Sequence, residues 1–189
     1  MNKAHLEFLA SPDWAKMLET DLLPWILEAG DLGDDVLEIG PGPGLTTDLL
    51  RERVPRVTAV ELDDDLAAKL TERLDGTNVE VVHADATTSG LPSDRFSTAT
   101  CFSMLHHMPK PALQDDLFAE VHRVLRPGGR FFGTDAVDHE MIRGFHTDDI
   151  FVPVDPNTLG PRLHAAGFAA TDIAASEYEV RFSATKATS

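Results

Sequence analysis

DVLEIGPGPGLTT, residues 35–47, decides how the rest of the chain reads. Val36, Leu37 and Ile39 make a short apolar run suited to a buried parallel strand. Gly40, Gly42 and Gly44 follow, and then Leu45, Leu49 and Leu50 recur at helical spacing. Strand, glycine turn and helix, in that order, open a ligand site at the carboxyl end of a parallel sheet. Glycine admits positive φ and puts no Cβ between loop and ligand, while Pro41 and Pro43 restrict φ and stiffen the turn.

The ligand is constrained by what the loop lacks. A dinucleotide fingerprint needs glycine at the first, third and sixth positions. Counting from Gly40 the sixth residue is Leu45, and from Gly42 it is Thr47, so the pattern fails. A phosphate-binding P-loop needs Gly-Lys-Ser/Thr, and Gly44 is followed by Leu45. The segment spells E-x-G-x-G-x-G from Glu38 to Gly44. It resembles motif I of the class I S-adenosylmethionine-dependent methyltransferases, against the plainer reading of a βα turn rich in glycine. The resemblance assigns Glu38, Gly40, Pro41, Gly42 and Gly44 to cofactor binding.

Downstream segments extend it. RVTAVEL, residues 56–62, reads as the second strand, and Glu61 follows Gly40 at close to the ~20-residue interval that sets an acid beside a ribose. Glu61 and the adjoining Leu62 are expected at the cofactor. NVEVV, residues 78–82, is a third strand, and in the resembled family the acid after it accepts from the adenine amino group. Asp85 and Ala86 hold those positions, although Asp85 could equally cap a loop. FSTATCF, residues 96–102, is the fourth strand, with Ser97 where the family often has Asp. The resemblance turns the tip of this strand toward the methionine part of the cofactor, which makes Phe102 and Ser103 lining residues. LRPGG, residues 125–129, matches the family's turn into the fifth strand and carries no chemistry.

The implied fold is α/β: a doubly wound, mostly parallel seven-stranded sheet in the order 3-2-1-4-5-7-6, its seventh strand antiparallel. The resemblance runs from about Val36 onward. Residues 1–33 are expected as N-terminal helices, residues 34–189 as the Rossmann-like core, and all 189 as one methyltransferase domain. Ser11-Pro12 signals a helix start, Pro24 a kink, and the helices serve either as a lid or as packing on the sheet's flank. Tyr178, Val180 and Phe182 are expected on one face of the last strand, with Ser183 to Ser189 as a frayed tail.

Composition narrows the partners. Lys and Arg number 16 against 32 Asp and Glu, a net charge of −16 that repels phosphate backbones, so nucleic acid is not the expected substrate. No run approaches the ~20 apolar residues of a membrane span, and the N-terminus lacks a signal-peptide core. One cysteine, Cys101, fits a cytoplasmic setting and a core role. The expected partner is a small-molecule acceptor, with the choice of monomer or homodimer open.

The implied reaction moves the sulfonium methyl of S-adenosylmethionine to an O, N or C nucleophile. Holding donor and acceptor in line can supply ~7–11 kcal/mol. His106, close to the fourth-strand tip, is the candidate base, against a packing or capping role; His107 must point elsewhere. Residues 136–154 hold Asp138, His139, His146, Asp148 and Asp149, which invites a metal. The segment has no helical His pair and no Cys, so it reads as a solvated or substrate-covering loop and no metal is assigned. A cofactor-binding module without activity, and a methyltransferase acting on protein, stand as alternatives.

Overall fold

The computed structural model describes residues 3–188, and among them seven strands form one sheet. β1 (Asp35–Ile39) is buried throughout, as a strand covered on both faces must be. β2 (Arg56–Glu61) and β4 (Phe96–Phe102) flank it in parallel and are buried almost end to end. β3 (Val79–His83) lies outside β2 and is more exposed. β5 (Leu125–Ala136) continues parallel beyond β4, and β7 (Glu179–Thr185) runs antiparallel between β5 and β6 (Ala170–Ala175). The order is β3-β2-β1-β4-β5-β7-β6, as the resemblance implied. The chain builds outward from β1 through β2 to β3 and then crosses back to place β4 on the other side of β1. The strand order reverses there, and a crevice opens above Ile39 and Phe102.

Alternation along the strands splits the core in two. Leu37, Phe131 and Phe182 face α6 (Pro111–Val124) and α8 (Pro156–Ala165), which contribute Leu117, Phe118, Val121, Leu159 and Leu163. Val36, Val57 and Phe132 face the other way, onto Leu50 of α4 (Leu45–Arg51) and Leu23 and Ile26 of α3 (Leu23–Glu28). α5 (Asp64–Arg73) packs beside β2 and β3.

Before β1 come α1 (Lys3–Leu9) and α2 (Pro12–Met17), whose Ser11 cap accepts from the Trp14 amide at 3.2 Å. The kink expected at Pro24 is spread over a π turn, Leu18–Leu22, in which the Leu23 amide donates to the Leu18 carbonyl. Proline removes one donor from the helix ladder, and the wider turn upstream absorbs the mismatch. Arg130 of β5 donates to the Ala29 and Asp31 carbonyls, and Arg181 of β7 pairs with Asp21, so this segment is fastened to the sheet.

Two expectations are corrected near the C-terminus. Tyr178 precedes β7 and is 41% exposed, so the inward set is Val180, Phe182 and Ala184. The frayed tail expected over Ser183 to Ser189 is strand to Thr185, because pairing with β5 provides partners that local sequence does not reveal. Lys186 then donates its amide to Gly129 O and its Nζ to Asp94, His122 O and Leu125 O. Ser189 lies outside the described residues. No described helix is long and apolar enough to cross a membrane.

Candidate functional site

The loop after β1 takes its shape from three left-handed glycines, with φ of 65° at Gly40, 55° at Gly42 and 86° at Gly44. A Cβ on Gly40 would come within 2.5 Å of Met104, and one on Gly44 within 2.5 Å of Leu70. Those two permit close packing of protein on protein. Among the described residues nothing lies within 4 Å of where a Cβ on Gly42 would stand, so that position opens outward. Its amide donates to Glu61 Oε2 at 3.0 Å, while Glu61 Oε1 accepts from the Asp63 amide at 3.0 Å. Each carboxylate oxygen keeps a lone pair for a further donor.

A cavity of about 820 Å³ runs across the carboxyl ends of the parallel strands. Glu38, Gly40, Pro41, Gly42, Glu61, Leu62, Asp85, Ala86, Phe102 and Ser103 all line it. Gly44 does not; it opens α4 beneath the loop. Glu38 is 3% exposed and accepts from Thr47 Oγ1 at 2.6 Å. Burial pushes its carboxyl up to about 7, with repulsion from Asp48 and Glu61 adding to the rise and the Thr47 bond opposing it. The cavity floor thus holds an acid whose ionised form gains most from an arriving cation. Asp85 caps a short turn, Oδ1 accepting from the Thr87 amide and hydroxyl at 2.8 Å, and it also faces the cavity.

The far end of the cavity is shaped by the β4 tip. Ser103 adopts φ of 52°, uncommon for a residue with a side chain, and donates its amide to Thr134 O at 2.8 Å. Beyond it the chain wraps around Asp135, which sits buried at the β5 end. Asp135 accepts the amides of Met104, Leu105 and His106 at 3.1, 2.7 and 3.3 Å, and that of Ala136 at 2.8 Å. Its Oδ1 also takes His106 Nδ1 at 2.6 Å. One carboxylate therefore fixes the whole turn.

His106 is 2% exposed and is not on the cavity wall; His107 is. The two rings lie 4.1 Å apart, and His5 of α1 and His146 join them. His146 follows α7 (Glu140–Phe145) within the 136–154 segment. That segment is held over the site by Val152, whose amide donates to His106 O at 2.8 Å, and by Gln114, which donates to Leu105 O and Val152 O. Burial and the neighbouring His106 push His107 down to about 3 and His5 to about 4. Leu6, Leu9 and Trp14 line the cavity, so α1 and α2 roof it while α3 packs on the flank.

Sequence reasoning did not single out Asp135, His5 or the roofing leucines. An acid closing the apolar run FFGT in β5 was the available signal for Asp135. No local signal marked His5, which meets its neighbours only through the fold. Of the acids and histidines noted in residues 136–154, only His146 joins the cluster; Asp138 pairs with Arg143 and His139 caps α7.

Comparison with known proteins bears on this arrangement. A family described as "Methyltransferase domain" matches residues 36–129. The ubiquinone biosynthesis O-methyltransferase of Pseudomonas fluorescens is 28% identical over 170 residues, covering 79% of this chain and 71% of its own. A Methanopyrus kandleri protein named "Probable ribosomal RNA small subunit methyltransferase A" is 41% identical over 81 residues, 41% of this chain and 29% of its own. Among solved structures, phosphoethanolamine N-methyltransferase 2 of Haemonchus contortus, with phosphomonomethylethanolamine and S-adenosylhomocysteine bound, superposes with a TM-score of 0.75 at 16% identity. That likeness covers 87% of this chain, which spans about half (52%) of the other.

Proposed function

The chain belongs to the class I S-adenosylmethionine-dependent methyltransferases, and from that premise we propose that it methylates an O, N or C nucleophile of a small, largely apolar molecule. The observation that carries the reading is the single cavity wall formed by the glycine loop, Glu61 and Asp85. S-adenosylmethionine brings the sulfonium methyl, the chemistry no side chain supplies. In this reading Asp85 and Ala86 meet the adenine, Glu61 the ribose hydroxyls, and Gly40, Gly42 and Glu38 the charged amino-acid end. Glu38 is well suited to a cationic donor because ionisation, costly in its buried setting, is stabilised by the incoming charge.

The acceptor enters under the roof of α1 and α2, against Leu6, Leu9, Trp14, Met104 and Met108. Its nucleophile is held in line with the methyl, and orientation in a water-excluding site supplies most of the acceleration. Proton removal falls to the histidines behind this wall. His107 reaches the cavity, and His106, expected as the base, stands one ring behind it, oriented by Asp135. A phenolic hydroxyl of the kind an O-methyltransferase of quinone synthesis would use suits the apolar walls.

The RNA-methyltransferase relative favours a second acceptor class, but a net charge of −16 opposes a polyanion. One buried, free cysteine, Cys101, supports a cytoplasmic setting. Transfer of labelled methyl from S-adenosylmethionine to a panel of phenols, amines and quinone precursors tests the proposal. Turnover on one class establishes it; tight donor binding with no transfer to any would make the chain a binding module.

A further inference from the structure

We propose that His5, His106, His107 and His146 together hold one divalent transition-metal ion of the zinc type, which ties α1 and the 136–154 segment to the β4 tip. The four rings offer ligand atoms all within 4.8 Å of one another. Their six centroid separations are 5.6, 4.9, 4.8, 4.1, 4.8 and 5.5 Å. Imidazoles around a tetrahedral ion, with metal–nitrogen bonds of about 2.0–2.1 Å, have centroids about 5 Å apart and nitrogens about 3.3 Å apart. The rings are thus spaced for a tetrahedral ion, and small rotations would bring the nitrogens into range.

Hydrogen bonding points the lone pairs inward. Asp135 is surrounded by N–H donors, so His106 Nδ1 donates to it and Nε2 carries the lone pair. His146 Nδ1 meets the Ile142 carbonyl at 2.8 Å, which only accepts, so its Nε2 carries the lone pair as well. A carboxylate or a backbone carbonyl on the far nitrogen is the usual means of orienting a metal-bound histidine. His106 Nε2, His146 Nε2 and both nitrogens of His107 are buried without a hydrogen-bond partner among the described residues. His106 and His146 are 2% and 7% exposed, and groups orphaned at such depth are destabilising unless something else satisfies them. One ion would take one nitrogen from each ring and so satisfy His106 Nε2, His146 Nε2 and one nitrogen of His107 together.

The donor set selects the metal. Four imidazoles, the donor set found among the described residues, suit zinc, copper or nickel rather than magnesium or calcium. Four protein ligands make a closed site, which in zinc proteins is structural. The ion would lie behind the wall that Met104, His107 and Met108 give the cavity, and would brace the roof under which the acceptor enters. This inference does not rest on the methyl-transfer reading, and its test needs no turnover. The ion would take the lone pairs of His106 and His107, so the base role proposed for them belongs to the metal-free protein.

The experiment uses tag-free, full-length protein stripped with a chelator. Calorimetric titration with zinc should show one ion per chain, and thermal unfolding should shift upward with zinc but not magnesium. Cobalt should give the intense visible bands of tetrahedral coordination. His5→Ala and His146→Ala should each weaken zinc binding by at least ~100-fold, beyond the ~10–100-fold typical of losing an outer partner. His164→Ala, on α8 and outside the cluster, should leave it unchanged. Absence of one-to-one binding, octahedral cobalt bands in the wild-type protein, or affinity retained in the His5→Ala/His146→Ala double variant would each overturn the assignment. The wild-type cobalt spectrum decides even if a variant folds poorly.

Discussion

Replacing Glu38 by glutamine should raise the stability of the ligand-free protein above neutral pH and, by the same substitution, weaken its hold on the donor. Burial raises the Glu38 carboxyl from 4.5 to about 7, so the folded state keeps a proton that the unfolded chain releases. A group shifted upward contributes stability that is complete below the unfolded value and lost as pH rises through the folded one. At ~1.36 kcal/mol per pH unit, the loss across this window is about 3 kcal/mol. Glutamine keeps the volume and an acceptor for Thr47 Oγ1, but it does not titrate. The two proteins should unfold together near pH 4.5 and diverge by about 3 kcal/mol by pH 8. For a chain of this length that is about 6–12 °C in Tm. Other titrating groups, the histidines included, are common to both proteins and cancel in the difference. Calorimetric affinity for S-adenosylmethionine should fall ~10–100-fold at pH 8, as expected for a lost charge-assisted bond. A Tm difference that stays flat from pH 4.5 to 8 would refute the reasoning.

Other outcomes follow from the same geometry. Gly42→Val places a branched side chain at φ of 55° and into open cavity, so donor binding should vanish in a calorimetric titration while circular dichroism shows the fold retained. Glu61→Ala removes the acceptor of the Gly42 amide along with the ribose partner, and should weaken donor binding by ~1–3 kcal/mol with no change in the acceptor KM. His5 and His107, pushed down to about 4 and about 3, contribute stability that is complete above pH 6.5 and lost as pH falls toward those values. In metal-free protein, His107→Gln should therefore flatten the decline of Tm between pH 6.5 and 4, and an unaltered decline would exclude His107 as its source.

What could be read from the sequence was what is encoded locally. The strand, glycine turn and helix around Gly40 involve neighbours in the chain, and periodicity reports them well. The expected lining residues, Gly44 apart, converge because each stands at or just past the carboxyl end of a parallel strand, and parallel strands end on one side of a sheet. Ser97 shows how a departure from the family pattern is absorbed: its hydroxyl donates to Leu32 O at 2.7 Å, at the end of β4 away from the cavity. The histidine cluster was not legible. His5 is about a hundred residues from His106 and His146 forty beyond, and nothing in their spacing predicts that helix, loop and covering segment meet. Asp135 was hidden for a related reason, since its role is to collect amides from the turn after another strand. Tyr178 and the C-terminal tail were misjudged because the outcome depends on pairing with β5, a partner some fifty residues away.

A structure determined with S-adenosylhomocysteine tests the central claim most directly. The account predicts adenine beside Asp85 and Ala86, ribose hydroxyls on Glu61, and the amino-acid end over Gly40 and Gly42 toward Glu38. A nucleoside bound elsewhere, with this loop in contact with no part of it, would contradict it.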